Sequence, residues 1–270
     1  KKEDLGSIAL TQNKNDVKNF KLNNLALKNK KIIYSKRSNL MNGGTYFFKK
    51  KLLNLIPKKN CSLENDIIPN LIKEKKITGK IYKNFFLDIG TPKYLKRTSL
   101  LLYKKFHKPA FFLDRDGVIN HDYGYVHKIK DFKFKKGVIE GLKFLIKKNY
   151  YLFIITNQAG IAKGIFKEFD FLNLHKFLKN KLASKNIFFN DIRYSPYHPL
   201  AKIKKYKKRS LLRKPGNMMI KNIMKIWLIN KKKSFMIGDK LSDQMAARKS
   251  NLRFFYPKKN FYSLIKHLVK

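Results

Sequence analysis

From residue 110 to residue 256 the chain alternates short strand-like segments, the first of them, Ala110–Leu113, wholly apolar, with stretches that carry apolar residues at helical spacing. A segment apolar at every position needs cover on both faces, and a parallel sheet with helices on either side supplies it. Strands are expected at Ala110–Leu113, Tyr151–Ile155, Ile192–Tyr194, Ser234–Ile237 and Arg253–Tyr256, the last as the final element. Helices are expected at Val138–Lys148, Phe169–Leu182, Asn217–Trp227 and Ser242–Lys249. The architecture implied is an open three-layer α/β domain over residues 107–270, entered through His107-Lys108-Pro109.

Residues 1–106 form a separate block of mixed signals. Lys31–Tyr34 and Thr45–Phe48 read as strands, with a turn at Asn42-Gly43-Gly44 between them. A helix is expected over Lys51–Leu55, and another after Ser62, a fitting N-cap before Leu63, Ile67, Ile68, Leu71 and Ile72. Ile77–Tyr82 and Phe85–Leu87 read as strands, Gly90-Thr91-Pro92 as a break, and Tyr94–Lys105 as a helix. A chain opening in mid-pattern without Met suggests a fragment of a longer protein.

Composition removes several function classes. With 43% hydrophobic residues, 22 Phe and 14 Tyr, the chain can bury a core, so disorder is excluded despite the charge. The single cysteine, Cys61, rules out a disulfide framework and any multi-thiolate zinc site, and points to a reducing, cytoplasmic setting. No apolar run reaches the roughly 18–20 residues of a membrane helix, so no membrane partner is expected. The formal charge of +46 raises the alternative of a polyanion-binding protein. Its carriers are overwhelmingly Lys rather than the Arg that nucleic-acid readers favour, and they are spread along the chain with many Asn, Ile and Phe. Compositional drift accounts for that, and a nucleic-acid partner is not expected; the oligomeric state is left open.

Chemistry gathers where the strands end, the edge at which open α/β sheets build their sites. Asp114-Arg115-Asp116-Gly117 follows the first strand. Alternation along an extended segment would send Asp114 and Asp116 to one side and Arg115 to the other. Two close carboxylates suit a nucleophile and a proton donor, with a cation between them and a phosphate. Thr156-Asn157-Gln158 ends the second strand and could hold phosphate oxygens. Arg213-Lys214-Pro215-Gly216 offers an ammonium for a transferring phosphoryl group and a fork for a further anionic group. Asp239 ends the fourth strand, and Asp243 sits four residues on, in the first helical turn. Oxygen ligands without a cysteine cluster point to Mg²⁺.

In this order the motifs D-x-D-G, T-N, K and G-D-x-x-x-D resemble those of the haloacid dehalogenase-type (HAD) phosphohydrolases. The stretches FFLDRDGVINHDYGYV, ITNQAGIAKG, YHP, LRKPGNMM and MIGDKLSDQMAA resemble the heptose-bisphosphate phosphatase and histidinol-phosphatase families within them. The resemblance implies a phosphoric monoester hydrolase acting on a small phosphorylated sugar, with heptose bisphosphate favoured and histidinol phosphate the alternative. Asp114 would attack phosphorus, and Asp116 would protonate the leaving oxygen and then activate water. Thr156 and Lys214 would stabilise the phosphoryl group. Arg213, Asp122, Tyr123, Gly124, Tyr125, Asn157, Gln158, Ala159 and Lys240 would line the substrate pocket, and Asp114, Asp239 and the Asp116 carbonyl would hold Mg²⁺. The gaps of 42 residues from Asp114 to Thr156 and 58 from Thr156 to Lys214 leave no room for a cap domain.

Relatives usually carry a zinc loop, but the thiolate positions here read Ser195, Ser210 and Leu212, with His198 alone remaining. One imidazole cannot hold structural zinc, so no zinc and a looser Leu200–Arg209 loop are expected. The first block resembles the C-terminal part of sugar-1-phosphate nucleotidyltransferases through MNGGTYFF, SLENDIIP and FFLDIGTPKYL. That likeness implies a partial α/β nucleotidyltransferase domain, with Asp88 as a metal ligand and Glu64 at a sugar-contacting position. The Gly-rich nucleotide loop belongs upstream of the first residue, so transferase activity is not expected of this chain, while a longer protein could be bifunctional.

Overall fold

The computed structural model describes residues 3–12, 24–83, 86 and 92–269, with the backbone alone over 92–97. The chain divides into two compact units, Lys1–Thr98 and Ser99–Lys270, within the helix Pro92–Phe106.

In the first unit β1 (Gly6–Gln12), β2 (Leu25–Lys28), β3 (Lys31–Tyr34), β4 (Leu40–Phe48) and β5 (Ile77–Tyr82) close into a barrel of order β1-β4-β2-β3-β5. The β1–β5 pair is parallel and the others are antiparallel. Ile8, Leu10, Leu25, Ile32 and Ile77 fill it, and α1 (Ile68–Lys73) packs Ile68, Leu71 and Ile72 into the same cluster.

The first unit is thus a small β-barrel with α1 packed into its core, and two local expectations change. The Asn42-Gly43-Gly44 segment is no turn: it lies inside β4 opposite a register shift between Ile8 and Leu10. A Cβ on Gly43 would come 2.9 Å from the Ala9 carbonyl, so that glycine serves close strand approach. The helix expected over Lys51–Leu55 is a 3-10 segment, Lys50–Leu55. Phe85, Leu87, Asp88, Gly90 and Thr91 lie outside the described residues, and with them the expected strand, break and Asp88 ligand.

The second unit begins in α2 (Pro92–Phe106) and is built on five parallel strands: β6 (Ala110–Leu113), β7 (Tyr151–Asn157), β8 (Asp191–Ser195), β9 (Phe235–Ile237) and β10 (Arg253–Phe255). Their order is β10-β9-β6-β7-β8. The two faces of the strands feed two cores. Phe111, Leu113, Leu152, Ile154, Phe235 and Ile237 pack with α3 (Val138–Lys147), α5 (Glu168–Ala183) and α8 (Phe261–Leu268). Ala110, Phe112, Phe153, Ile155 and Met236 pack with α6 (Met218–Ile226) and α7 (Leu241–Arg248). Full burial stabilises each such side chain by about 1.5–3 kcal/mol, which is why apolar residues occupy both faces.

Helix α8 was not anticipated and replaces β10 as the last element. Asn260 caps it by accepting from Ser263 N, and Phe261, Leu264 and Ile265 press into the core. No domain is inserted between these strands; the short α4 (Ala159–Ala162) and then α5 connect β7 to β8. Among the described residues no helix is long and apolar enough to cross a membrane.

Candidate active site

The chain runs from β6 outward to β7 and β8, then returns to lay β9 on the other side of β6. That reversal opens a crevice at the carboxyl ends of β6 and β9. Leu113 pairs with Ile237, and Asp114 N donates to Ile237 O at 2.9 Å, so Asp114 and Asp239 emerge side by side. One carboxylate oxygen from each of Asp114, Asp239 and Asp243 lies within 4.8 Å of the others.

Lys214 is the counter-charge. Only 2% exposed, its Nζ lies 2.9 Å from Asp114 Oδ2 and 2.5 Å from Asp243 Oδ1, and donates to Ile155 O at 3.0 Å. Asn157 clamps the backbone of Lys214: its Oδ1 accepts from Lys214 N and its Nδ2 donates to Lys214 O, both at 3.0 Å. Burial pushes the Asp114 carboxyl up to about 7, against the opposing pull of Lys214. Burial also raises Asp239 above the usual carboxylate range. For Lys214 burial acts downward, but Asp114 and Asp243 outweigh it and hold the ammonium above its ordinary value.

Three acids against one ammonium leave a charge deficit of two, and Asp239 Oδ1 is buried without a hydrogen-bond partner. Hard oxygen donors, an orphaned oxygen and that deficit together fit a divalent cation such as Mg²⁺. Asp243, which the sequence suggested as an orienting residue, belongs to this trio; the Asp116 carboxylate does not.

Asp116 accepts from Gln158 Nε2 (3.0 Å) and Asn120 Nδ2 (3.0 Å), and Gln158 also donates to Thr156 Oγ1 at 2.9 Å. Arg115 departs from the alternation expected of it. Its side chain folds back onto Asp116, because backbone N–H groups of Val118, Ile119 and Asn120 all bond to Arg115 O and curl the chain out of the strand. Neither Arg115 nor His175, which contacts it, was singled out in the sequence; an isolated His on a helical face gives no signal.

A cavity of about 440 Å³ opens over these groups. Asp114, Asp116, Thr156 and Lys214 line it, with Asp122, Gly124, Tyr125, Asn157, Gln158, Ala159, Arg213 and Lys240. Of the expected pocket residues only Tyr123 is absent: it is 62% exposed and lines a neighbouring depression of about 370 Å³. Lys163 and His198 join the wall unannounced. Lys240 bridges to Asp122 at 3.0 Å, and Lys163 donates to the Tyr125 hydroxyl at 2.7 Å, which ties the rim together.

The Leu200–Arg209 loop is packed rather than loose. Ala201 and Tyr206 are buried with Ile161, Ala162, Phe166 and Phe171. Glu168 accepts from both the Tyr194 and Tyr206 hydroxyls, at 2.6 and 2.8 Å, and Lys208 sits 4.1 Å above the Tyr197 ring. Arg213 reaches Tyr197 O at 3.4 Å, so this brace carries through to the pocket wall. Burial lowers the Arg213 and His198 pKa values, and for His198 the nearby Arg213 and Lys163 charges add to it.

A family profile for haloacid dehalogenase-like hydrolases matches residues 203–256. The D-glycero-beta-D-manno-heptose-1,7-bisphosphate 7-phosphatase of Photorhabdus laumondii is 48% identical over 139 residues, which cover 52% of this chain and 74% of that protein. The enzyme of the same name from Escherichia coli K12 is 40% identical over 144 residues, covering 53% and 75%. Among solved structures, D,D-heptose 1,7-bisphosphate phosphatase from B. bronchiseptica, complexed with magnesium and phosphate, superimposes with a TM-score of 0.51 at 22% identity. It covers 59% of this chain and 86% of its own, a likeness of fold.

Proposed function

The chain belongs to the D-glycero-β-D-manno-heptose-1,7-bisphosphate 7-phosphatases of the haloacid dehalogenase-like hydrolases, and we propose on that footing that its cavity removes the 7-phosphate of heptose 1,7-bisphosphate, in the synthesis of nucleotide-heptose precursors of lipopolysaccharide. It is a phosphoric monoester hydrolase. The observation that carries the reading is the convergence of Asp239, Asp243 and Lys214 on Asp114, which with Asp116 and Lys214 lines the cavity.

Asp114 is the nucleophile. Its oxygen bonds to phosphorus as the phosphorus–sugar oxygen bond breaks, and Asp116 gives its proton to the departing oxygen. Asp116 then takes a proton from water, whose oxygen attacks the aspartyl-phosphate and frees phosphate and Asp114. Splitting the displacement makes each step easier, and a positioned acid contributes on the order of 100- to 10,000-fold. Lys214 and Thr156 balance the phosphoryl oxygens. Mg²⁺ held by Asp114, Asp239 and the Asp116 carbonyl, with Asp243 alongside, would neutralise the phosphoryl charge. Arg213 meets the distal anionic group. Asp122, Gly124, Tyr125, Asn157, Gln158, Ala159 and Lys240 shape the sugar pocket, with Tyr123 at its margin. A cytoplasmic setting goes with this reading.

The test is phosphate release from heptose 1,7-bisphosphate against histidinol phosphate, with and without Mg²⁺. Mg²⁺-dependent release from the heptose substrate, abolished by Asp114→Asn, is expected; persistence in that variant would overturn the reaction, and preference for histidinol phosphate the substrate.

For the first unit we propose a portion of a sugar-1-phosphate nucleotidyltransferase, without transfer activity in this chain. What supports it is that Asn42 and Tyr46, from one quoted stretch, both hydrogen-bond Glu64 of another. Titration with a sugar 1-phosphate should give binding that Glu64→Ala removes; no binding by the unaltered chain argues against it.

A further inference from the structure

Arg115 is fully buried, a placement that arginine tolerates only when its donors are used. Its Nε donates to Asp116 Oδ1 at 3.1 Å, and its Nη2 to Oδ1 at 2.8 Å and Oδ2 at 2.7 Å. Nη2 also donates to Val126 O at 2.7 Å, and the guanidinium lies 5.7 Å from the Phe171 ring centroid. The remaining nitrogen, Nη1, faces His175 Nε2 at 3.3 Å.

A guanidinium can only donate. His175 must therefore present the lone pair of Nε2 and carry its proton on Nδ1. Helix α5 places this imidazole with 5% exposure, where burial first, then the Arg115 and Lys179 charges, lower its pKa to about 3. Arg115 is thus gripped from three sides: by a carbonyl, a neutral imidazole and an aromatic face.

We propose that Arg115 and His175 are positioning residues for the proton-transfer step: Arg115 fixes the plane of the Asp116 carboxyl group towards the leaving oxygen, and His175 fixes Arg115. The inference rests on the role given to Asp116 above. In the step concerned, the bond between phosphorus and the sugar oxygen breaks and its electron pair stays on that oxygen. The Asp116 proton moves onto the oxygen, and the phosphoryl group remains on Asp114. The side chain of Asp116 is 15% exposed and lines the cavity, while Arg115, with Asn120 and Gln158, donates to its carboxyl group from the protein side. A lysine cannot reproduce that hold, because an ammonium offers a point charge and no planar fork.

Leaving-group dependence separates this role from a merely structural one. A sugar alkoxide needs a proton to depart, whereas p-nitrophenolate does not. The quantity to compare is kcat/KM, which covers steps only through departure of the leaving group. Arg115→Lys should lose about 10- to 1000-fold on the sugar phosphate and less than about 5-fold on p-nitrophenyl phosphate. His175→Leu should show the same selective loss at about 10-fold, and His175→Gln, whose Oε1 can accept from Nη1, should recover most of it. Equal losses on both substrates, or none on either, would overturn the proposal. If Arg115→Lys does not fold, the two His175 variants decide by the same criterion, with thermal unfolding recorded beside them. Asp114→Asn is the control: it must abolish turnover of both substrates, and its survival would refute the underlying reaction instead.

Discussion

Replacing Gly117 by alanine should disable the site by moving a residue more than a hundred positions away. Gly117 has φ +81, where a side chain costs about 1–2 kcal/mol. Its new Cβ would stand 2.3 Å from Asp239 Oδ2 and 2.6 Å from Asp239 Cγ, against an ordinary contact of 3.4 Å or more. The backbone cannot yield, because Gly117 N donates to Asn120 O at 2.8 Å and Lys135 Nζ holds Gly117 O at 2.7 Å. Asp239 must withdraw by roughly 1 Å, and a displacement of that size costs about 100-fold in rate. Half-saturation by Mg²⁺ should rise about 10-fold, and the unfolding midpoint should fall by a few degrees, at about 2–4 °C per kcal/mol in a domain this large. Phosphate release over a Mg²⁺ titration, with thermal unfolding, measures all three. Gly124→Ala is the comparison: φ there is +82 and nothing lies within 4 Å of the added Cβ, so stability drops while Mg²⁺ half-saturation holds. An unchanged Mg²⁺ dependence in Gly117→Ala would show that Asp239 does not hold the ion.

Four further outcomes follow from other groups. Lys214→Met leaves two buried acids, Asp114 and Asp243, without their counter-charge; phosphate release should fall about 100- to 1000-fold, and denaturant unfolding should register a loss of about 3–5 kcal/mol. In the metal-free protein a proton competes for Asp114, whose carboxyl sits at about 7, so calorimetric Mg²⁺ affinity should rise from pH 6 to pH 8 with proton release. His175 lies near 3 in the folded chain against 6.5 unfolded. The unfolded state therefore takes up the proton first, and stability is lost as pH falls below about 6.5, at up to ~1.4 kcal/mol per pH unit; His175→Gln should flatten that slope in pH-dependent unfolding. Glu168→Ala removes the acceptor shared by Tyr194 and Tyr206 and should raise KM for the bisphosphate about 5- to 10-fold with kcat nearly unchanged, the role proposed for Arg213 being in binding rather than chemistry.

The parallel sheet was legible because its central strands β6, β7 and β9 are apolar on both faces, a pattern that survives any drift in surface composition. The ends of β6, β7 and β9 could be read as a site for the same reason: Asp114, Thr156 and Asp239 are the first polar residues after uninterrupted apolar runs. What was missed depends on contacts between distant segments. Arg115 was assigned to the far side by strand alternation, but the strand ends two residues earlier, at Leu113, and its partner His175 lies 60 residues on. The barrel of the first unit escaped because β1 finds its partners in β4 and β5, and because Gly43, read as a turn, marks a close strand approach. The expectation of a loose Leu200–Arg209 loop considered only missing ligands, whereas Tyr206 and Glu168 meet through tertiary packing.

The sheet order also governs when the protein can first act during its synthesis. Asp114 is translated early, but its neighbours Asp239 and Asp243 reach it only after β9 pairs with β6. A nascent polypeptide that has left the ribosome only as far as residue 230 lacks two of the three acids, whatever its helices have already achieved. Competence therefore arrives in one late event, and a chain stalled or clipped before that point would be inert rather than partly active.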